Sequence, residues 1–276
     1  MAAIALLGAG GKMGHRLARN LRDSPHELRP IEVSSPGLAR LAELGLQAAP
    51  REQALGGADV VILAVPDRLI NAIAQEIVPM LRPGTMVMIL DPAAPHAGHL
   101  PKRSDVTYFV THPCHPPVVN DEVEPAAKRD FFGMVAAKQN IVCALMQGPE
   151  TDYARGEAIA LTMFAPTMRA HRVTVEQMAI LEPALSETVC GTLLMALREA
   201  LDEAVKRGVP REAAFDFLFG HINVELAIAF QLVPGAVFSD AALKAVARAK
   251  PQIFREDWLR VFEPKEIADT IDDMIR

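Results

Sequence analysis

The sequence predicts an α/β chain: an N-terminal Rossmann-type, doubly wound sheet over residues 1–170, then an all-α domain over residues 171–276. Three observations carry this. An apolar run, Ile4 to Leu7, leads straight into glycines at 8, 10, 11 and 14. Short apolar segments of strand type then alternate with helical ones as far as Met146, as crossover connections of a parallel sheet require. From Thr174 onward the apolar residues recur at helical spacing.

The opening turn reads as strand, tight turn and helix start, the place where a dinucleotide pyrophosphate sits. Met13 occupies the third glycine position of the usual spacing, so the register Gly8-x-x-Gly11-x-x-Gly14 fits better. Gly8 permits a sharp exit from the strand. Gly10 or Gly11 lets a phosphate approach the main chain, and Gly14 lets the helix lie close on the strand. The free N–H groups and positive dipole end of that helix face the anion.

Residues 30–35 read as the second strand. NAD enzymes place an acid at its end to bind the ribose hydroxyls. Here Ser34 holds that slot, and Glu32 lies two residues earlier on the same face. Both are candidate ribose contacts, Glu32 reading equally well as a solvated strand residue. Serine tolerates a 2′-phosphate, yet no arginine follows before Arg40. NAD is the expected cofactor, with NADP left open.

Residues 38–44 look helical. Residues 59–67 form the clearest buried strand, an unbroken apolar run closed by Val65, Pro66 and Asp67 on the cofactor side. Asp67 reads equally as the cap of the helix that follows. A helix over 68–81 precedes strands at 85–90, closed by Asp91-Pro92, and at 106–110. The latter delivers His112-Pro113-Cys114-His115-Pro116-Pro117 to the same edge, on a loop stiffened by its prolines. A further strand at 139–146, a helix near 152–163 and a short strand near 171–173 complete the first domain.

The second domain opens with a capping box, Thr174 with Gln177. The helix after it runs to Lys206-Arg207-Gly208, roughly thirty residues or ~50 Å, with Pro183 expected to kink it. A second helix follows Pro210, Ser239 caps a third, and a last one falls within 263–275. So many apolar faces on few helices call for a partner surface; a homodimer through the helical domain is the natural one, packing on the first domain being the alternative.

Composition narrows the function. The net charge is −6 with no basic block, which argues against a nucleic-acid partner. Uninterrupted apolar stretches stop short of the ~18 residues of a membrane span, and no signal peptide fits before the first strand. Cys114, Cys143 and Cys190 are widely spaced and read as reduced thiols in the cytoplasm.

Three clusters can carry chemistry. His112 and His115 suit acid–base work or metal ligation, while Cys114 reads as an inert thiol. Glu176, Glu182 and Glu187 surround Pro183; an acid at a kink in an apolar stretch suits a metal ligand or a proton carrier. His221, Asn223 and Glu225 interrupt an apolar helix and line a pocket or tie helices together.

The stretches 8–14, 112–117, 143–150 and 176–183 resemble the D-apionate oxidoisomerase family, over nearly the whole chain. That family belongs to the wider 6-phosphogluconate dehydrogenase-like group, with a phosphogluconate dehydrogenase-type C-terminal domain. The first-domain pattern is also similar to prephenate dehydrogenases. The resemblance implies a Rossmann domain, a helical dimerisation domain and NAD-linked oxidation of a branched sugar acid. Many members carry an acid near the position of Pro36-Gly37, which this chain lacks.

On this reading Gly8, Gly11, Lys12, Met13 and Gly14 hold the pyrophosphate. Val65, Pro66 and Asp67 border the ribose and nicotinamide. His112 or His115 takes the hydroxyl proton of a small hydroxy acid, and Glu187 is a further catalytic acid. Migration of a carbon group after oxidation gives a β-oxo acid and is helped by a Lewis acid. His112 and Glu182, one from each domain, are the expected ligands of a divalent metal such as zinc or magnesium. The rivals are a plain hydroxy-acid dehydrogenase and a non-catalytic nucleotide sensor, which does not need the histidines.

Overall fold

A computed structural model describes the whole chain, Met1–Arg276. Its elements begin with β1 (Ala3–Leu7), α1 (Lys12–Arg22), β2 (Glu27–Ile31), α2 (Ser35–Glu43), α3 (Arg51–Leu55), β3 (Val60–Leu63) and α4 (Asp67–Ile77). They continue with β4 (Met86–Ile89), α5 (Ala93–His96), β5 (Thr107–Pro113), α6 (Pro125–Lys128), β6 (Gln139–Gln147), α7 (Thr151–Met163) and β7 (Thr167–Arg172). Then come α8 (Val175–Ala179), a π-helix (Ile180–Gly191), α9 (Thr192–Lys206), α10 (Arg211–Ala229), α11 (Asp240–Ile253) and α12 (Pro264–Ile275).

The strands form one sheet in the order β2-β1-β3-β4-β5-β6-β7. The first five are parallel, β6 is antiparallel to β5, and β7 runs parallel to β6. Strand side chains alternate between faces, and here both faces are covered. Ile4, Leu6, Val60, Ile62, Met86 and Met88 enter a core with α1 and α7. Their neighbours Ala5, Leu7, Val61, Leu63, Val87 and Ile89 enter another with α3 and α4. This two-sided burial explains why these strands read as unbroken apolar runs.

The chain passes from β1 to β2 on one side and returns to β3 on the other. The carboxyl ends of β1 and β3 therefore bound the crevice where such sheets take ligands.

Several sequence expectations shift. The second strand is Glu27–Ile31, not 30–35, and Ser34 caps α2 by accepting from the Gly37 N–H. The fifth strand extends to Pro113, so His112 lies in the sheet and only His115 is on the loop. The helix around Pro183 widens into a π-helix, because proline has no N–H for the α ladder and its ring crowds the carbonyl one turn back.

The chain divides into a unit of Met1–Pro183 with Ile267–Arg276 and a unit of Ala184–Glu266. The boundary lies after Pro183 rather than at 170/171. The cause is α8, whose Val175 and Met178 pack with Val110, Val142 and Ala144 of the sheet. The capping box is present, with Thr174 N–H on Gln177 Oε1 at 3.0 Å and Gln177 N–H on Thr174 Oγ1 at 3.1 Å.

In the second unit Leu201 is the buried residue of α9, and neither α10 nor α11 buries a side chain. The helix Val175–Lys206 is long and apolar enough to cross a membrane by length and composition, with a mean hydropathy of 1.4 in its most apolar 18-residue window. Counting uninterrupted runs misses this, because an average over that window dilutes Glu182 and Glu187.

Candidate functional site

A cleft of about 430 Å³ opens at the carboxyl ends of β1 and β3, lined by Gly8, Gly11, Glu32, Ser34, Val65 and Pro66 among others. These are expected cofactor residues, gathered from three separate stretches of sequence. Gly8 has φ +69, and a Cβ there would collide with the Ala64 carbonyl. Gly14 is buried in α1 and its Cα packs against the Gly8 peptide. Gly11 is the N-cap of α1, and the first turn of that helix carries no acid. The positive helix end is thus left for an anion. Lys12 and Met13, the first residues of α1, line a second cavity of about 710 Å³ that shares Gly11 with the first, together with Arg16, Arg40, His115 and Phe132.

Glu32 lies just past β2 with its carboxylate closely held. Oε2 accepts from Gly10 N–H at 2.9 Å; Oε1 accepts from Val33 N–H, Ser34 N–H and Ser34 Oγ at 2.8, 2.8 and 2.9 Å. Burial pushes this carboxyl up, but those donors together outweigh it and hold it below the usual glutamate value. Glu32 therefore lines the cleft as a carboxylate already held by four donors, and is not a merely solvated residue.

At the other end of the crevice β5 outruns β4. Their pairing stops at Ile89 and Val110, while β5 continues to Pro113 against β6. His112 therefore projects past the end of β4, beside Leu90 and Asp91. Its Nδ1 lies 2.7 Å from the Leu90 carbonyl. A carbonyl only accepts, so Nδ1 carries the proton and Nε2 offers a lone pair. That Nε2 is 3.3 Å from Glu182 Oε2, the two side chains being 16% and 20% exposed. Ligand atoms of Asp91, His112 and Glu182 all lie within 4.8 Å of one another. The set is not split between the two units, since Glu182 precedes the boundary at Pro183.

The carboxyls here are short of positive charge. Burial, then Asp91, pushes Glu182 up to about 7. Burial, then Asp91, pushes Asp67 up to about 6, and burial raises Asp91 itself. Asp67 is the first residue of α4, whose N-cap is Pro66. It therefore faces the acid group and is not the helix cap.

Two acids and one oriented imidazole form a donor set that suits a divalent cation. The imidazole is oriented through its second nitrogen by a backbone carbonyl, as metal-bound histidines are.

His115 has φ +59 and its Nδ1 lies 3.0 Å from the Phe132 carbonyl, which likewise leaves Nε2 with a lone pair. The two imidazole centroids are 6.1 Å apart. Burial, then Glu182, raises the Cys114 thiol, which suits an inert role. Glu187 is exposed, lies in the second unit and is not a member of the donor set. His221 and Glu225 line an apolar cavity of about 510 Å³ within that unit. Asp91 was legible only as a strand terminator, because its proximity to His112 depends on how far two neighbouring strands run.

Comparison with known proteins is consistent across the chain. Residues 2–141 match the family model for the NADPH-binding domain of acetohydroxy acid isomeroreductase. Residues 120–275 match that for the C-terminal domain of decarboxylating phosphogluconate dehydrogenase. The D-apionate oxidoisomerase of Rhizobium rhizogenes is 61% identical, over 98% of both chains. That of Cupriavidus necator is 59% identical, over 97% of both. A crystal structure described as a semialdehyde dehydrogenase NAD-binding protein from Cupriavidus necator, in complex with calcium and NAD, superposes with a TM-score of 0.97. It is 57% identical and covers 99% of each chain.

Proposed function

The chain belongs to the D-apionate oxidoisomerase family, and from that premise we propose that it oxidises D-apionate with NAD and rearranges the product to a β-oxo acid. It is an NAD(P)-dependent oxidoreductase. One observation carries the assignment. The dinucleotide cleft of Gly8, Gly11, Val65 and Pro66 and the Asp91–His112–Glu182 group lie along the carboxyl ends of neighbouring strands of one sheet.

The roles follow from the atoms. Lys12 and Met13 present main-chain N–H groups to the diphosphate. Val65, Pro66 and Asp67 border the nicotinamide, which when bound supplies the hydride acceptor. His112 Nε2, Asp91 and Glu182 hold a divalent cation, which when bound supplies Lewis-acid polarisation of a substrate oxygen. His112 has only Nε2 to give, so the proton falls to the other imidazole. The hydroxyl proton passes to His115 Nε2 as the carbinol hydride leaves, and Phe132 steadies the ring from behind. The Glu32 carboxylate favours NAD, since a 2′-phosphate would meet a like charge.

A homodimer through the helical unit accounts for the bare faces of α9 and α10, including Leu194, Phe217 and Phe219 at 55, 70 and 53% exposure. It also accounts for the apolar Val175–Lys206 helix better than a bilayer does, because Glu182 on that helix sits within the acid group. The free thiols Cys114, Cys143 and Cys190 fit a reducing, cytoplasmic setting.

The test is turnover of D-apionate with NAD and with NADP, read as reduced nicotinamide, with NMR of the product. A rearranged β-oxo acid supports the proposal, and an unrearranged ketone supports the plain dehydrogenase. His115→Gln is expected to bind NADH normally and to lose about 10²–10⁴-fold in kcat.

A further inference from the structure

The two peptide groups that flank Gly10 are each held by a charged side chain from outside the turn. The Gly10 N–H donates to Glu32 Oε2 at 2.9 Å, and the Gly10 carbonyl accepts from Arg40 Nε at 2.5 Å. The N–H of Gly11 is engaged too, donating to the Gly8 carbonyl at 2.9 Å. Neither glycine therefore offers an N–H to a ligand. The N–H groups of Lys12, Met13 and Gly14, the first three residues of α1, have no intrahelical partner. Gly14 is buried, so the donors left to a diphosphate are those of Lys12 and Met13.

Adjacent glycines are the most freely rotating pair a chain can contain. Without outside restraint the Gly10–Gly11 peptide would sample several orientations and carry the helix start with it. Glu32 is anchored at the end of β2 by its bonds to Val33 and Ser34, and Arg40 is fixed in the last turn of α2. The same side of the turn is packed without tolerance, since a Cβ on Gly10 would collide with the Gly37 backbone and one on Gly37 with the Glu32 side chain.

We propose that Arg40, with Glu32, is a positioning residue for the cofactor diphosphate. It acts through the Gly10 carbonyl and not by its charge, presetting the turn so that the Lys12 and Met13 N–H groups converge on one point. This rests on the cofactor reading above and adds a residue to it.

The experiment compares Arg40→Met and Arg40→Lys with wild type, titrating NADH, ADP and adenosine at low and high salt. Both variants are expected to weaken NADH and ADP by about tenfold, the scale of one charge-assisted hydrogen bond. Adenosine, which lacks phosphate, is expected to bind unchanged. The loss is expected to persist at high salt and to fall on KM for NAD rather than on kcat. A double variant with Glu32→Gln is expected to lose less than the product of the single losses, because both act on Gly10.

Wild-type ADP affinity in Arg40→Met overturns the proposal. So does an Arg40→Lys variant that binds like wild type, or a loss that vanishes as salt rises, since either result makes the guanidinium a charge acting directly on phosphate. Failure of the wild type to bind NADH sinks the cofactor reading itself, a result distinct from these.

Discussion

His112 Nε2 faces Glu182 Oε2 at 3.3 Å, a strand residue meeting the first turn of a π-helix. With Asp91 they form a pocket of donors with no lysine or arginine among them. Glu182→Gln is expected to weaken binding of calcium or zinc by about a hundredfold, measured by isothermal titration. Glu187→Gln, outside the set, is expected to titrate like wild type. Equal affinities in all three proteins would remove the metal from the mechanism.

Glu32 sits where the adenosine ribose is expected and stays ionised through its four donors. Wild type is expected to favour NAD over NADP by about a hundredfold in kcat/KM, since juxtaposed like charges cost several kcal/mol. In Glu32→Gln the preference narrows by about tenfold, while KM for both cofactors rises because Gly10 loses its acceptor. Steady-state kinetics with the two cofactors decides, and an unchanged ratio would count against the carboxylate as selector.

Asp130 Oδ2 accepts from the N–H groups of Val135, Ala136 and Ala137 at 3.0, 2.8 and 3.1 Å. Burial pushes this carboxyl up, but the three donors together outweigh it, and it lies below its ordinary value of 3.8. A depressed carboxyl stabilises the fold above its unfolded value, and the gain is lost as pH falls through the folded one. Asp130→Asn is expected to cost about 1–2 kcal/mol at pH 7. In urea melts the gap should shrink as pH drops below 3.8. A gap that is constant with pH would mean the charge is not what holds the loop.

The helical unit is expected to pair in solution. Sedimentation equilibrium should return a dimer for wild type and a monomer for Leu194→Asp with Phe217→Asp. Each of those side chains contributes ~1.5–3 kcal/mol when fully covered. A wild-type monomer at micromolar concentration would leave α10 without its proposed cover.

Much of this was legible in the residues themselves. The Gly8 turn, the β3 run and the Thr174 box are local signals, and each is where its pattern put it. β2 starts earlier than the apolar pattern predicts, because Glu-Leu-Arg-Pro-Ile has no apolar run. It is an edge strand, where charge and proline are tolerated. The direction of β6 left no trace, since antiparallel and parallel neighbours bury the same residue types. The prolines after His112 predict a loop there, whereas pairing with Val142 of β6 keeps it in the sheet. Asp91 and Glu182 are far apart in sequence, and only the overhang of β5 and the packing of α8 bring them to one place.

The two cores on opposite faces of the sheet also divide the chain's chromophores. Tyr108 falls in one core and Tyr153 in the other, and these are its two tyrosines. The single tryptophan, Trp258, belongs to the helical unit. Red-edge excitation thus reports on the second unit alone, while tyrosine emission from the Tyr108→Phe and Tyr153→Phe variants reads each side of the sheet separately. Three regions of the fold can thus be followed during unfolding by intrinsic fluorescence, with two single replacements and no label to attach.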